Sequence, residues 1–535
     1  MTGIDPTSAP QVLVVGAGPT GLALAHELIR RGVRVRLADA KPEPARTSRA
    51  VATHPRTLEI YEQMGVLDGV LALGQRITAF TLFQNGGLMT RLDADYRRMP
   101  TRYPFTVCID QVLTEKVLHE AVSGLGVEVE WGVRLVEVTQ DGEQAHAVLE
   151  HLDGSRERLV VPWLVGCDGG HSEVRRQLGL PLLGESSDTW LIADADLDVD
   201  LPRNSIYWVR NRGLAMMLAP MSGARRWRLL DTQAGERDGD PDLVAARFRT
   251  QLAEGLGRPV GMSRPEWVSV FTFQQRMIER MRAGRCFVAG DAAHVHSPAS
   301  GQGMNTGIQD AYNLAWKLSM VVHGQAEDRL LDTYSAERVP VGAALLRSTN
   351  NATGLIQLRS RPISALLPVL FAVVRTVAPL RRRIQRKILG GVSGLNLRYD
   401  AGPLTHPGAA ERGPAAGERI TGIPDEAASG PGWKALSERL RTPSWHLLLG
   451  TATQQAAQEL RRWTPDWLKM SVVDTQGAGD LPDPDGELTA GLGLAPSGWI
   501  LVRPDGYLSA RGEHVDPGLV AKLLADAGLV IGRRH

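Results

Sequence analysis

The chain has 535 residues, 43% of them hydrophobic and 22% charged. This is an ordinary globular composition, long enough for about three domains of roughly 100–200 residues each. The 60 basic and 59 acidic side chains leave a net charge of +1, which argues against binding nucleic acid through bulk phosphate attraction. Cys108, Cys167 and Cys286 are odd in number and far apart, so neither a disulfide framework nor a thiolate metal site is expected. Met1–Pro10 lacks the apolar stretch of a signal peptide. The most lipophilic run, Ile363–Leu380, is broken by Pro368, Arg375 and Pro379 and is too interrupted to span a bilayer. A cytoplasmic protein is expected, with that run lying over another domain or a partner subunit; the alternative, given Arg381, Arg382, Arg383, Arg386 and Lys387 just after it, is an amphipathic helix at a membrane surface.

Gln11–Val15 is a short apolar run that reads as a buried parallel strand. It leads into Gly16-Ala17-Gly18-Pro19-Thr20-Gly21, then a helix-forming segment closed by Gly32, then a second strand, Val33–Asp39. This is a β-α-β unit with G-x-G-x-x-G at its first turn and an acid ending its second strand. Gly16 permits the tight turn, Gly18 admits a pyrophosphate, and Gly21 lets the helix pack on the strand. Pro19 and Thr20 open the helix, whose free N–H groups and positive end suit a diphosphate. Asp39 is placed to accept from a ribose hydroxyl pair. The motif by itself does not distinguish FAD from NAD.

The chain does not continue into a second regular β-α-β unit. It gives a loop with Arg46 and Arg49, then a helix from His54. Leu159–Val165 reads as a strand ending in Gly166-Cys167-Asp168-Gly169-Gly170. Arg285–Ala289 reads as another, ending in Gly290-Asp291, with Ser297-Pro298-Ala299-Ser300-Gly301-Gln302-Gly303-Met304-Asn305 and a helix Thr306–Val322 beyond it. Each strand delivers a Gly-Asp or Asp-Gly step to its carboxyl end, where α/β sheets bind ligands.

These three ordered motifs, Gly16–Gly21, Gly166–Arg175 and Gly290–Asn305, make the chain resemble the single-component FAD-dependent aromatic hydroxylases. That family includes para-hydroxybenzoate and phenol hydroxylases, with polyketide and rifampicin-type hydroxylases closer still. The resemblance implies an α/β architecture. A discontinuous Rossmann-like FAD domain is expected at residues 8–80, 105–180 and 280–345, with a β-sheet substrate domain inserted at 81–104 and 181–279. A helical connector at 346–400 and a thioredoxin-like domain at 401–535 follow. That last domain contains no cysteine, so packing or dimerisation is expected of it rather than redox chemistry. A monomer or homodimer is expected.

In such enzymes the first motif holds the FAD pyrophosphate and Asp39 the adenosine ribose. The resemblance further implies Asp168 in the motif linked to FAD and NADPH, Asp291 on a ribityl hydroxyl, Arg49 at the flavin, and Gln111 near the ribityl–phosphate chain. Pro298, Gly301, Gly303, Met304 and Asn305 would wrap the flavin ring, with a helix N-terminus stabilising its reduced anion. Leu183–Phe273 reads mainly as half-buried strands, and the family puts its substrate there; Trp190, Tyr207, Trp208, Met216, Met217 and Trp227 are the candidate lining. His294 and His296 lack a third ligand nearby, so no metal is expected. No G-x-S-x-G elbow supports a hydrolase.

The implied chemistry is reduction of non-covalent FAD by NADPH, addition of O2 to give a C4a-hydroperoxyflavin, and transfer of one oxygen to a phenolic or polycyclic ring. The sequence names no general base. Two other outcomes stay open: a Baeyer–Villiger oxygenation on the same scaffold, and a flavoprotein acting as oxidase, reductase or carrier.

Overall fold

The computed structural model describes residues 9–47, 50–93, 99–232, 239–296, 301–357, 391, 393–408, 412–474 and 479–531. The run Ile363–Leu380 and most of the expected connector lie outside them. Among the described residues, no helix is long and apolar enough to cross a membrane.

A six-stranded sheet forms the centre. Its order is Arg282–Ala283, Cys286–Val288, Trp163–Gly166, Val12–Val15, Val35–Asp39, Val129–Trp131. All neighbours are parallel except the short edge strand Arg282–Ala283. Val12, Leu13, Val14 and Val15 are all buried, as an apolar strand covered on both faces must be. The register pairs Val15 with Gly166 and Gly166 with Val288, so three motif-bearing strands end at one level.

The run Leu159–Val165 is not one strand. It divides at Pro162 into Arg156–Val161, in a separate three-stranded antiparallel sheet, and Trp163–Gly166, in the central one. Proline has no N–H for the ladder and therefore marks the point where the chain changes sheets.

The inserted sheet runs in the order His294–Val295, Trp267–Met277, Leu183–Asp198, Arg226–Asp231, Leu214–Pro220, Ser205–Asn211, Ala79–Gln84, Gly87–Leu92, with Gly261–Met262 pairing beside Leu183–Asp198. Within this region lies a helix that sequence reading did not separate from the strands, Pro241–Leu256. It is capped by Asp240 and closed by Gly257 in the left-handed conformation. Its Val244, Phe248 and Leu252 pack on one face of the sheet. The other face turns toward the central sheet.

The C-terminal sheet has the order Leu481–Pro482, Leu468–Asp474, Trp445–Leu449, Trp499–Val502, Leu508–Gly512. Its first three strands are parallel and the last two antiparallel. Helices Pro431–Leu440 and Glu487–Leu492, neither anticipated from sequence, cover one face. The opposite face shares its core with the helix Gly303–Val322, whose Trp316 meets Trp445 edge-on at 5.7 Å.

Beside this contact lies a buried ionic cluster. Glu337 accepts from Lys317 at 2.7 Å and from Arg503 at 2.5 and 2.9 Å, while Arg503 also pairs with Asp505 at 2.6 Å. Asp505 in turn accepts from the Trp316 indole at 3.2 Å. Burial works against the charge of Glu337, yet Arg503 and Lys317 outweigh it and hold its pKa down to about 2. Removing one partner of such a cluster strands the others without water. Glu337→Ala is expected to cost about 3–5 kcal/mol of stability, read from urea unfolding at neutral pH. A loss below about 1 kcal/mol would show that the cluster behaves as a solvated surface pair.

Candidate active site

The level strand ends build the site. Gly16 sits at φ +104°, and a Cβ there would lie 2.5 Å from the Cys167 carbonyl oxygen. A Cβ on Gly21 would overlap the Gly16 carbonyl oxygen. Both glycines are therefore demanded by the protein itself. Gly18 differs: a Cβ there meets nothing within 4 Å, and the residue lines an open cleft. The helix Pro19–Ile29 begins at this point with no side-chain cap, so its first N–H groups face the cleft. The Asp39 carboxylate accepts from Ala17 N at 2.7 Å and Lys41 N at 2.8 Å, tying the glycine loop to the second strand while lining the cleft. Each oxygen keeps a lone pair for a ligand. Thr20 lies against Gly290, where a Cβ would stand 2.6 Å from its hydroxyl.

Asp168 accepts from the Ser172 hydroxyl and from Glu173 N and Val174 N at 2.7 and 3.1 Å, capping the short helix Glu173–Gln177. Burial pushes its carboxyl pKa up, against those hydrogen bonds. Gln111 opens the helix Gln111–Gly124, and its amide donates to Glu115 at 2.7 Å. Asp291 is exposed, lines the cleft, and takes no hydrogen bond from a described residue. Gly301, Gly303 and Met304 also line it. Asn305 does not: its side chain accepts from His54 N and donates to Ala52 O and Gly301 O, each at 2.8 Å. It clamps the loop from behind. Arg49 and Pro298 lie outside the described residues.

The cleft encloses about 760 Å³ and runs on to the inserted sheet, where Ile192, Met217, Arg228, Leu230 and Phe271 close it. Ile192 pairs with Leu230 and Leu230 with Met217, so one apolar row crosses three strands. Of the six expected lining residues, Met217 lines the cleft, Trp208 packs beside Trp190 on the same face, and Trp190 itself is fully buried among Ile192, Leu230 and Phe271. Tyr207, Met216 and Trp227 lie on the opposite face, packed with Phe248 and Leu252 of the covering helix. Side chains alternate along a strand, so each is one residue out of step with the lining set.

Arg228 was not anticipated. It is 1% exposed, donates to Asp194 at 2.8 and 2.7 Å and to Ala50 O at 2.9 Å, and lies 3.8 Å from Asp110. Burial opposes its charge, but the Asp194 carboxylate raises its pKa overall. The available signal was a charge at an inward position of the strand Arg226–Asp231.

This cleft fits FAD: an uncapped helix N-terminus beside a glycine with open space, two carboxylates able to accept from hydroxyls, and a glycine-bearing turn against an apolar wall. Comparison with known proteins agrees. Residues 9–349 match the model of the FAD binding domain family. The chain belongs to that family. It is 49% identical over 508 residues to the 6-methylpretetramide 4-monooxygenase of Streptomyces rimosus, covering 94% of this chain and 91% of the relative. It is 31% identical over 537 residues to the pentachlorophenol 4-monooxygenase of Sphingobium chlorophenolicum, covering 97% and 96%. Among solved structures, the anhydrotetracycline hydroxylase OxyS of Streptomyces rimosus superposes with a TM-score of 0.75 at 29% identity over 98% of this chain and 100% of that one. The protein is thus an FAD-dependent aromatic monooxygenase, similar to enzymes of polyketide metabolism.

The glycine loop yields a paired test. Gly18→Ala should leave the melting temperature of the cofactor-free protein unchanged yet weaken FAD binding at least about tenfold, or 1.4 kcal/mol. Gly16→Ala should destabilise the cofactor-free protein itself, because its backbone is left-handed and its neighbours are in contact. Equal effects of the two on folding would remove the distinction. Asp291→Ala should cost about 1.5–3 kcal/mol of FAD binding, the range for a hydrogen bond to a charged group, measured by titrating cofactor-free protein with FAD.

Proposed function

We propose that this chain hydroxylates a planar, mainly apolar phenolic substrate, polycyclic in character, with NADPH and O2 as co-substrates. The observation that carries the reading is the continuity of the cofactor cleft with the apolar row Ile192–Leu230–Met217. A ring lying on that row stands between the sheet and the Gly301–Met304 turn, where the flavin belongs. FAD held in the cleft would supply the redox chemistry by which two electrons from NADPH and one O2 give a hydroxylated ring and water.

The chain's own residues do the rest. Ile192, Leu230, Met217 and Phe271 exclude water from the reacting ring. Arg228, fixed by Asp194, offers a cationic group on that wall to an oxygen on the edge of the substrate. The uncapped start of Pro19–Ile29 would receive the pyrophosphate, and the start of Gly303–Val322, which lines the same cleft, would stabilise negative charge on a reduced flavin held there. The name of the relative at 49% identity, a 6-methylpretetramide 4-monooxygenase, supports a fused-ring substrate. The C-terminal sheet, with parallel and antiparallel strands between two helical layers and no cysteine, supports a thioredoxin-like packing domain. We place the reaction in the cytoplasm.

The test is a panel of fused-ring phenols in an NADPH and O2 assay, with NMR of the products. A hydroxylated ring supports the proposal, an oxygen inserted beside a ketone indicates a Baeyer–Villiger outcome, and peroxide alone indicates an oxidase. One glycine-loop β-α-β unit is present among the described residues, so NADPH must share access to the flavin with the substrate cleft. A hydroxylated ligand should therefore raise the rate of flavin reduction by NADPH at least about tenfold, if it shifts the flavin population by ~1.4 kcal/mol. Stopped-flow absorbance measures this, and equal rates with and without ligand would show a flavin permanently open to NADPH.

A further inference from the structure

We propose that Asp310 is a positioning residue for the cofactor: it pins both ends of the Gly290–His294 turn and thereby presents the Asp291 carboxylate to the FAD cleft. The inference rests on the reading of Asp291 as an acceptor for a cofactor hydroxyl.

Asp310 projects from the helix Gly303–Val322 and is fully buried. It does not line the cleft. One of its oxygens, Oδ2, accepts from Gly290 N at 3.1 Å and from His294 Nε2 at 2.7 Å. These donors stand at the two ends of a single tight turn, which is closed internally by Ala293 N donating to Gly290 O at 2.8 Å. Gly290, Ala292, Ala293 and His294 are all buried, and Asp291 between them is exposed to the cleft. A carboxylate that fastens the first and last residues of this turn leaves the second residue one direction in which to point.

The other oxygen, Oδ1, accepts from Arg338 Nε at 2.7 Å, and Arg338 is itself fixed by donating to Tyr399 OH at 3.1 Å and Thr306 O at 3.3 Å. Asp310 is thus oriented from behind and acts forward on the turn. Its charge is maintained: burial works against it, but Arg338 and His294 bring its pKa below the usual carboxylate value. Gly290, at φ +62° and with Thr20 in the way of any Cβ, cannot be replaced without disturbing the same turn, so Asp310 and His294 are the informative positions.

The test is a double-mutant cycle on FAD affinity, read by fluorescence as cofactor-free protein is titrated with FAD. Asp310→Asn should weaken FAD binding roughly tenfold in the wild-type background, about the effect of one hydrogen bond. In an Asp291→Ala background the same change should cost less than about threefold, because its effect passes through Asp291. A tenfold loss in both backgrounds would overturn the proposal alone. Wild-type FAD affinity in Asp291→Ala would overturn the reading of Asp291 and the proposal with it. If Asp310→Asn does not fold, His294 serves instead. His294→Gln keeps a donor toward Asp310 and should stay within about threefold of wild type, whereas His294→Ala should lose roughly tenfold. Equal losses in the two His294 variants would overturn the proposal.

Discussion

Helix Gly303–Val322 is buried along almost its whole length, and every charge on it must be answered by a group from elsewhere in the chain. Asp310 is answered by Arg338 and His294, and Lys317 by Glu337, which Arg503 of the C-terminal domain also reaches. An unpaired charge at such depth costs several kcal/mol, so these pairings define how the surrounding segments assemble. The helix start lines the cleft, its middle fastens the Gly290–His294 turn, and its last turns pack against the C-terminal sheet. One element therefore links the cofactor cleft to the packing of the C-terminal sheet.

The second constraint is the register of the central sheet. Val15, Gly166 and Val288 are more than 100 residues apart in sequence yet stand side by side. Because parallel strands all point the same way, whatever follows each one emerges at the same edge. Glycine at 16, 18 and 290 and acids at 168 and 291 become a single site for this reason. Their roles then separate by what they touch. Asp168 is engaged by its own helix and Asp39 by the glycine loop, whereas Asp291 takes no hydrogen bond from a described residue.

The inserted sheet divides its work between two faces. The face toward Pro241–Leu256 builds an independent core from Tyr207, Met216, Trp227 and their neighbours. The face toward the cofactor stays partly open, with Ile192, Leu230 and Met217 as a level apolar floor and the Arg228–Asp194 pair beside it. A buried ion pair adds little to stability compared with apolar residues of the same size, which makes its position on the substrate wall informative.

Local pattern determined much of this by itself. The β-α-β unit with its glycines and Asp39, the later Asp168 and Asp291 steps, and the mainly stranded character of Leu183–Phe273 all follow from turn chemistry and hydrophobic periodicity over short windows. Tertiary structure decided what periodicity cannot. An alternating strand announces two faces but not which one meets the helix, so Tyr207, Met216 and Trp227 read as pocket lining as readily as Met217, yet of these only Met217 joins Ile192, Leu230 and Arg228 there. Asn305 looked like a ligand of the flavin and is instead tied to Ala52, His54 and Gly301, because a side-chain amide's partners depend on which strand folds beside it. Asp310 reads in sequence as one polar position in a helix. Only the packing of Gly290, His294 and Arg338 around it brings it behind the cleft-lining Asp291, since burial and pairing are properties of residues brought together from distant parts of the chain.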